Sequence, residues 1–237
     1  MVKELVLVKR NHDIDRKTLY QSWPPTQLFA HQGLSIAETG ICRHVLNRAL
    51  PSRDPRAVGA AADYDFIAET WLAEKDQNGA HREKTWFETI HPKAIDLIDR
   101  QHSISFLAEE VVLHPGRKGD VKIISFLRRN AAMSPAEFSA YWKGHHGALV
   151  QSVPEFWRYV RGYVQNHPLR DTIRTLSRDV AEGFDGVTQL WFDSDEDAIL
   201  AFSEPRYLAI IRPDEKLLRS DDPLRLLAEE IVVLDIA

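Results

Sequence analysis

The sequence predicts an α+β fold: two tandem βαββαβ units whose antiparallel sheets face each other within one chain. Three observations predict it. The second half echoes the first at an offset of about 119 to 120 residues, far longer than a solenoid period. Each half reads strand, helix, strand, strand, helix, strand, the order of a four-stranded antiparallel sheet with both helices on one face. Val, Ile, Leu and Phe occupy both sides of several strands, so the face away from the helices also needs cover, which the other sheet supplies.

In the first unit, strands are expected near 3–10, 39–47, 64–72 and 105–113, and helices near 14–23 and 83–100. In the second, strands are expected near 121–129, 157–166, 186–192 and 227–235, and helices near 134–147 and 194–211. The helix from 134 opens on a capping box, Ser134 with Glu137, and Pro135 sits where a first-turn proline is tolerated. Ser194 with Asp197 caps the helix from 194. The echo is clearest in the last strands, Leu107-Ala108-Glu109-Glu110 against Leu227-Ala228-Glu229-Glu230. Trp71 answers to Trp191, Asn47 to Asn166, Asp65 to Asp185, and Lys9-Arg10 to Arg128-Arg129. The turn-rich stretch His114-Pro115-Gly116-Arg117-Lys118-Gly119 separates two expected domains, 1–116 and 117–237.

Composition bounds the function. With 44% hydrophobic residues in 237, the chain can bury a core in each unit. A formal net charge of −5 argues against a general nucleic-acid binder. One cysteine, Cys42, excludes an intrachain disulfide and suits a reducing compartment. No apolar run reaches bilayer length, and the first residues lack a signal-peptide pattern. A cytoplasmic protein without a membrane partner is the expectation.

The chemistry concentrates between 134 and 167. Phe138, Tyr141, Trp142, His145 and Leu149 recur at helical spacing, with His145 in the middle of the stripe and His146 on its edge. Gly147 is expected to end that helix as a left-handed cap. At the 119-residue offset, Thr26 and Gln27 replace the two histidines, and Pro24-Pro25 break the first unit's helix early. The first unit has therefore lost the titratable pair. On the following strand, Tyr159, Arg161, Tyr163, Gln165 and His167 share one face, suited to lining a cleft or to meeting the other sheet. Asn166 is expected on the opposite, helix-facing side.

The motif Phe138-x-x-Tyr141-Trp142-x-x-x-His146-Gly147, the run Gln165-Asn166-His167 and the run Phe184-Asp185-Gly186 resemble the EthD family over about residues 120 to 235. That resemblance implies ferredoxin-like units in a dimeric α+β barrel, here closed within one chain with a degenerate first copy. It also places His146 at the motif histidine, with His145 as an extra.

Histidine exchanges protons near neutral pH, so His146 and His145 are the candidate catalytic residues, against a purely structural role as caps. Tyr141, Trp142, Arg161, Tyr163, Asn166, Asp185 and Trp191 are the candidate substrate contacts. Asp185 and Trp191 have counterparts in the first unit, which favours shared structural roles for them. The spacing of the remaining histidines suggests no metal site, and no glycine-rich phosphate loop is present, so no cofactor is expected. The expected function is a cofactor-independent lyase, decarboxylase, isomerase or cyclase acting by proton transfer on a small apolar, aromatic or polyketide-like molecule. The alternatives are a non-catalytic metabolite binder, a cofactor-free oxygenase, or a haem protein with His145 or His146 as axial ligand. Pairing of whole chains into a homodimer stays open.

Overall fold

A computed structural model describes residues 2–21, 40–53, 64–72, 92–115, 119–177, 179 and 184–236. The first set of strands is β1 (Val2–Val8), β2 (Ile41–Ala49), β3 (Phe66–Leu72) and β4 (Ile104–His114). The second is β5 (Val121–Leu127), β6 (Gly162–Pro168), β8 (Gly186–Phe192) and β9 (Leu224–Asp235), with a two-residue β7 (Arg174–Thr175) against β4. All pairings are antiparallel, and both sets have the same order. The first runs β4-β1-β3-β2 and the second β9-β5-β8-β6, each with its first strand central. The seams β2–β9 and β4–β6 join the sets, so eight strands close into a barrel and neither sheet keeps a free long edge.

Strand alternation divides the side chains. Leu5, Leu7, Ile67, Phe106, Ile124, Phe126, Val187 and Leu226 fill one end of the barrel interior. The other end carries charge: Lys3 and Lys122 are fully buried among Glu69, Glu110 and Glu230. On the outer face of the second sheet, Ile123, Tyr163, Leu190 and Phe192 pack under the helices through Val150, Phe156, Phe202 and Tyr207. In the first unit Val6, Val8, Leu46 and Phe66 pack against Leu19 of α1 (Arg16–Gln21).

Several expectations change. The strand foreseen from 157 begins only at Gly162, because Val153-Pro154 starts a short helix, α4 (Pro154–Trp157), and the chain turns through 158–161. The helix foreseen over 194–211 is α5 (Asp195–Ser203), capped by Ser194 as expected, followed by a second helical run to Leu218. Pro205 follows α5 closely, consistent with its end. The helix expected over 83–100 lies largely outside the described residues; within them, Pro92–Leu97 is a 3₁₀ turn. Pro24, Pro25, Thr26, Gln27 and the expected domain boundary at 116 and 117 also lie outside the described residues. Among the described residues, no helix is long and apolar enough to cross a membrane.

Candidate active site

The site is built on the helix that follows β5. Ser134 accepts from the Glu137 amide and Glu137 reaches back to the Ser134 amide, so the capping box forms and starts α2 (Pro135–Tyr141). The helix does not stop at Gly147. Trp142–His146 is a π-helical turn, in which the Gly147 N–H bonds to the Trp142 carbonyl, and α3 (Gly147–Gln151) continues from it. The expected left-handed cap is thus overturned: Gly147 has φ −57°. Its lack of a side chain serves packing instead, since a Cβ there would lie 2.9 Å from Leu113 Cδ1.

The π turn also decides which histidine is inside. An inserted residue rotates everything after it by about 100° relative to an α-helix. His146, not His145, therefore continues the buried stripe of Phe138 and Trp142; the two side chains are 8% and 58% exposed. π turns of this kind are common at functional sites.

A second π turn, Tyr207–Ile211, faces the first and leads into α6 (Arg212–Leu218). Pro213 has no N–H and its ring crowds the carbonyl four residues back, so a widened turn there relieves the helix. This turn delivers Asp214. His146 Nδ1 lies 2.6 Å from Asp214 Oδ2, Tyr141 Oη donates to Asp214 Oδ1 at 2.5 Å, and His145 Nε2 stands 3.4 Å from the same oxygen. Burial pushes the Asp214 carboxyl up, but the hydrogen bonds from His146 and Tyr141 outweigh it and hold the group below its usual range. An ionised Asp214 accepts a hydrogen bond from Nδ1–H, and with the proton on Nδ1 it is Nε2 that is free to act as a base. Burial, together with Asp214, pushes Tyr141 up to about 12, so it stays a donor at neutral pH.

His146 faces a small cavity of about 50 Å³ between the helices and the second sheet, walled by Trp142, Phe156, Tyr163, Phe202 and Tyr207. Its polar edge is Glu215, Arg219 and Arg225. Burial pushes Glu215 up, yet Arg225 and Arg219 hold it below its usual range, and its oxygens already accept from Tyr207 and Arg219, both at 2.9 Å. Arg225 Nε is buried without a hydrogen-bond partner among the described residues. Gln165 Nε2 donates to Tyr163 Oη and to the Trp142 carbonyl, both at 3.0 Å, which ties β6 to the π turn. His167 lies against Trp142 with ring centroids 4.6 Å apart, and burial lowers its pKa to about 4, so it is neutral at physiological pH.

Of the residues singled out from sequence, His146, Trp142 and Tyr163 meet at this cavity, and Tyr141 and His145 join them through Asp214. Four do not, and the face assignment of β6 is reversed. Tyr163, Gln165 and His167 turn toward the helices, whereas Gly162, Val164 and Asn166 turn into the barrel. Packing sets this direction: Gly162 abuts the Trp191 ring inside the barrel, where a Cβ would come within 3.1 Å of Cε3. Asn166 Nδ2 donates to the Val187 carbonyl, and Trp191 Nε1 donates to Glu230, both on the barrel side. Arg161 pairs with Asp193 at 2.7 Å. Asp185 accepts from the Arg129 amide and pairs with Arg170, as Asp65 accepts from the Arg10 amide and pairs with Arg16. The larger of the two described cavities, about 240 Å³, also lies in the barrel rather than under the helices.

Asp214, Glu215, Arg219 and Arg225 were missed. The only local signal was Pro213-Asp214-Glu215, a first-turn pattern for a restarting helix; nothing in the sequence links it to His146. Among the described residues, no group of three or more His, Cys, Asp and Glu side chains is placed to hold a metal ion. At about 50 Å³ the described cavity has room for one or two waters, so haem, like any aromatic ligand, would need it to open.

The Phe184-Asp185-Gly186 run gains a physical reason here. The Trp142 ring lies on the bare Cα of Gly186, where an added Cβ would stand 2.5 Å from Cζ3. Gly186→Ala should displace Trp142 and lower stability by about 1–3 kcal/mol, the usual range for overpacking. Thermal denaturation checks this, and an unchanged melting temperature would show that the ring moves aside freely.

Eight antiparallel strands in two four-stranded sets of the same order, with a cavity under the second set's helices, define a dimeric α+β barrel fold formed within a single chain. Residues 130–218 match the model of the EthD domain family. The barrel resembles an anthrone oxidase-like protein with TM-score 0.61 and 11% identity, covering 100% of this chain and 94% of the other. It also resembles proteins described as monooxygenases from Fusobacterium nucleatum subsp. nucleatum (TM-score 0.53, 11% identity, 98% and 92% covered) and Lactobacillus acidophilus NCFM (0.52, 12%, 100% and 96%). At these identities the likeness is one of fold. No curated protein matches the chain.

Proposed function

We propose that this chain is an enzyme that abstracts a proton from a small apolar, aromatic substrate, with His146 as the base. The observation that carries this is the 2.6 Å contact of His146 Nδ1 with a buried carboxylate, beside an aromatic-walled cavity. Asp214 orients the ring and stabilises the imidazolium that forms when Nε2 takes a proton from carbon. A carbanion next to a carbonyl spreads its charge to oxygen. Arg225 Nε, buried on the same cavity, is the donor positioned for that oxygen. An aromatic substrate needs the cavity to open, and the long side chains of Arg219 and Arg225 border it. The single Cys42, left as a free thiol, fits work in a reducing cytoplasm.

Isomerisation, lyase chemistry and oxidation all begin with this step. The names of the three similar barrels favour an oxidative continuation. There, the anion reacts with dioxygen; a CH₂ group becomes a carbonyl, with one oxygen atom retained in the product and the other leaving as water.

Anthrone, an aryl ketone with an acidic CH₂, is a suitable first probe. In D₂O without oxygen the protein should exchange that CH₂ for deuterium, and with oxygen it should consume dioxygen. Asp214→Asn, which disrupts the tautomer, should slow exchange by roughly 10²- to 10⁴-fold. Binding of anthrone with neither exchange nor oxygen uptake would make the protein a metabolite binder.

A further inference from the structure

The two strand sets place equivalent residues around the charged end of the barrel. Lys3 Nζ sits over the Trp71 ring and Lys122 Nζ over the Trp191 ring, each 4.4 Å from the centroid. Trp71 Nε1 donates to Glu110 at 2.9 Å, and Trp191 Nε1 to Glu230 at 3.1 Å. One pair breaks the match: Glu69 faces Gln189. Both lysines turn to Glu69, at 2.5 and 2.9 Å, and Gln189 receives only a long contact of 3.4 Å from Lys3 at its oxygen. Gln189 is 1% exposed, and its Nε2 has no hydrogen-bond partner among the described residues. Arg43 Nε is buried without one too, standing 3.6 Å from Asp235 Oδ2. Both side chains line one cavity of about 240 Å³, whose apolar walls include Trp71, Trp191, Val112 and Val164.

We propose that this end of the barrel is a second ligand site, separate from His146, which takes a small neutral molecule with an apolar body and a carbonyl oxygen. Two buried donors without a hydrogen bond, on residues that line one cavity, call for an acceptor, since leaving a buried donor unsatisfied is costly. The net charge of the ligand follows from its surroundings. Lys3, Lys122 and Arg43 face Glu69, Glu110 and Glu230, and Arg161, which also lines the cavity, is paired with Asp193, so a charged ligand would add an uncompensated ion. The volume is below that of a drug-sized pocket and suits a single ring. Nothing in this site depends on the proton-transfer chemistry proposed above.

The test uses benzamide as the probe, with toluene and benzoate as controls, on the whole chain. The Gln189 side-chain amide is followed by ¹H–¹⁵N NMR, its resonances assigned by their loss in Gln189→Glu. Benzamide should move that amide with a dissociation constant on the order of millimolar, while toluene should leave it in place and benzoate should bind at least tenfold more weakly. Gln189→Glu, which copies Glu69 and gives Lys3 a carboxylate, should weaken benzamide binding at least tenfold. Val164→Phe, which fills the cavity from β6, should do the same, and His146→Gln should leave binding unchanged. A Gln189 amide that does not respond to benzamide overturns the proposal. So does equal binding by the wild type and whichever of the two barrel variants folds.

Discussion

His146→Gln should lower the rate of proton exchange by about 10²-fold or more while the fold survives, the usual scale for loss of a general acid or base. The geometry explains why glutamine separates the two roles. Its amide N–H can donate to Asp214 as Nδ1 does at 2.6 Å, so the buried carboxylate keeps a partner. Its carboxamide has no basic nitrogen to stand in for Nε2, so the proton acceptor is gone. Stability should change by less than about 1 kcal/mol, whereas His146→Ala, which strips the carboxylate of that donor, should cost about 1–3 kcal/mol. Isotope exchange and thermal melts on the two variants measure each quantity. Full activity in His146→Gln together with a large drop in melting temperature would make the residue structural and remove it from the chemistry.

Lys122→Met is expected to be the most damaging single change to stability. Lys122 is 1% exposed and reaches Glu69 at 2.9 Å, Glu230 at 2.8 Å and the side-chain oxygen Oδ1 of Asn47 at 2.7 Å. Methionine fills much of the space but leaves Glu69 and Glu110 to Lys3 alone and Glu230 to Arg43 at 3.5 Å. Breaking a buried pair by removing one partner costs about 3–5 kcal/mol, which lowers the melting temperature by roughly 10 °C in a chain this long. Adding Glu69→Gln removes one surplus anion and should recover part of the loss, a coupling expected of side chains in contact. The pH dependence has a definite sign. Burial pushes Glu69 up, but Lys122 and Lys3 outweigh it and hold the carboxyl well below 4.5. A depressed carboxyl contributes stability that is complete above its unfolded pKa and lost as pH falls through its folded pKa. The gap between wild type and Lys122→Met should therefore be full at pH 7 and narrow in acid below about 4.5. A gap that stays constant into strong acid would show that Glu69 is not the residue left unpaired.

The order of elements was legible in the chain because its signals are local. A capping box at Ser134 and Glu137, a cap at Ser194, and the apolar runs of β1, β3 and β8 depend on neighbours a few residues apart, and they hold in the structure. The echo of Leu-Ala-Glu-Glu placed the last strand of each unit, β4 and β9, and the Phe138 to His146 spacing marked the helix that carries the proposed site. Which side chains meet was decided only by the tertiary structure. Alternation divides β6 into two faces without saying which one the helices cover; that was set by the fit of Gly162 against Trp191 and of Gln165 against the Trp142 carbonyl. The exchange of His145 for His146 came from one π turn, a change of a single hydrogen-bond register that helical periodicity cannot anticipate. Asp214 lies 68 residues from His146, on a helix that restarts after its own π turn, so only the closing of α6 over the second sheet brings the carboxylate to the imidazole.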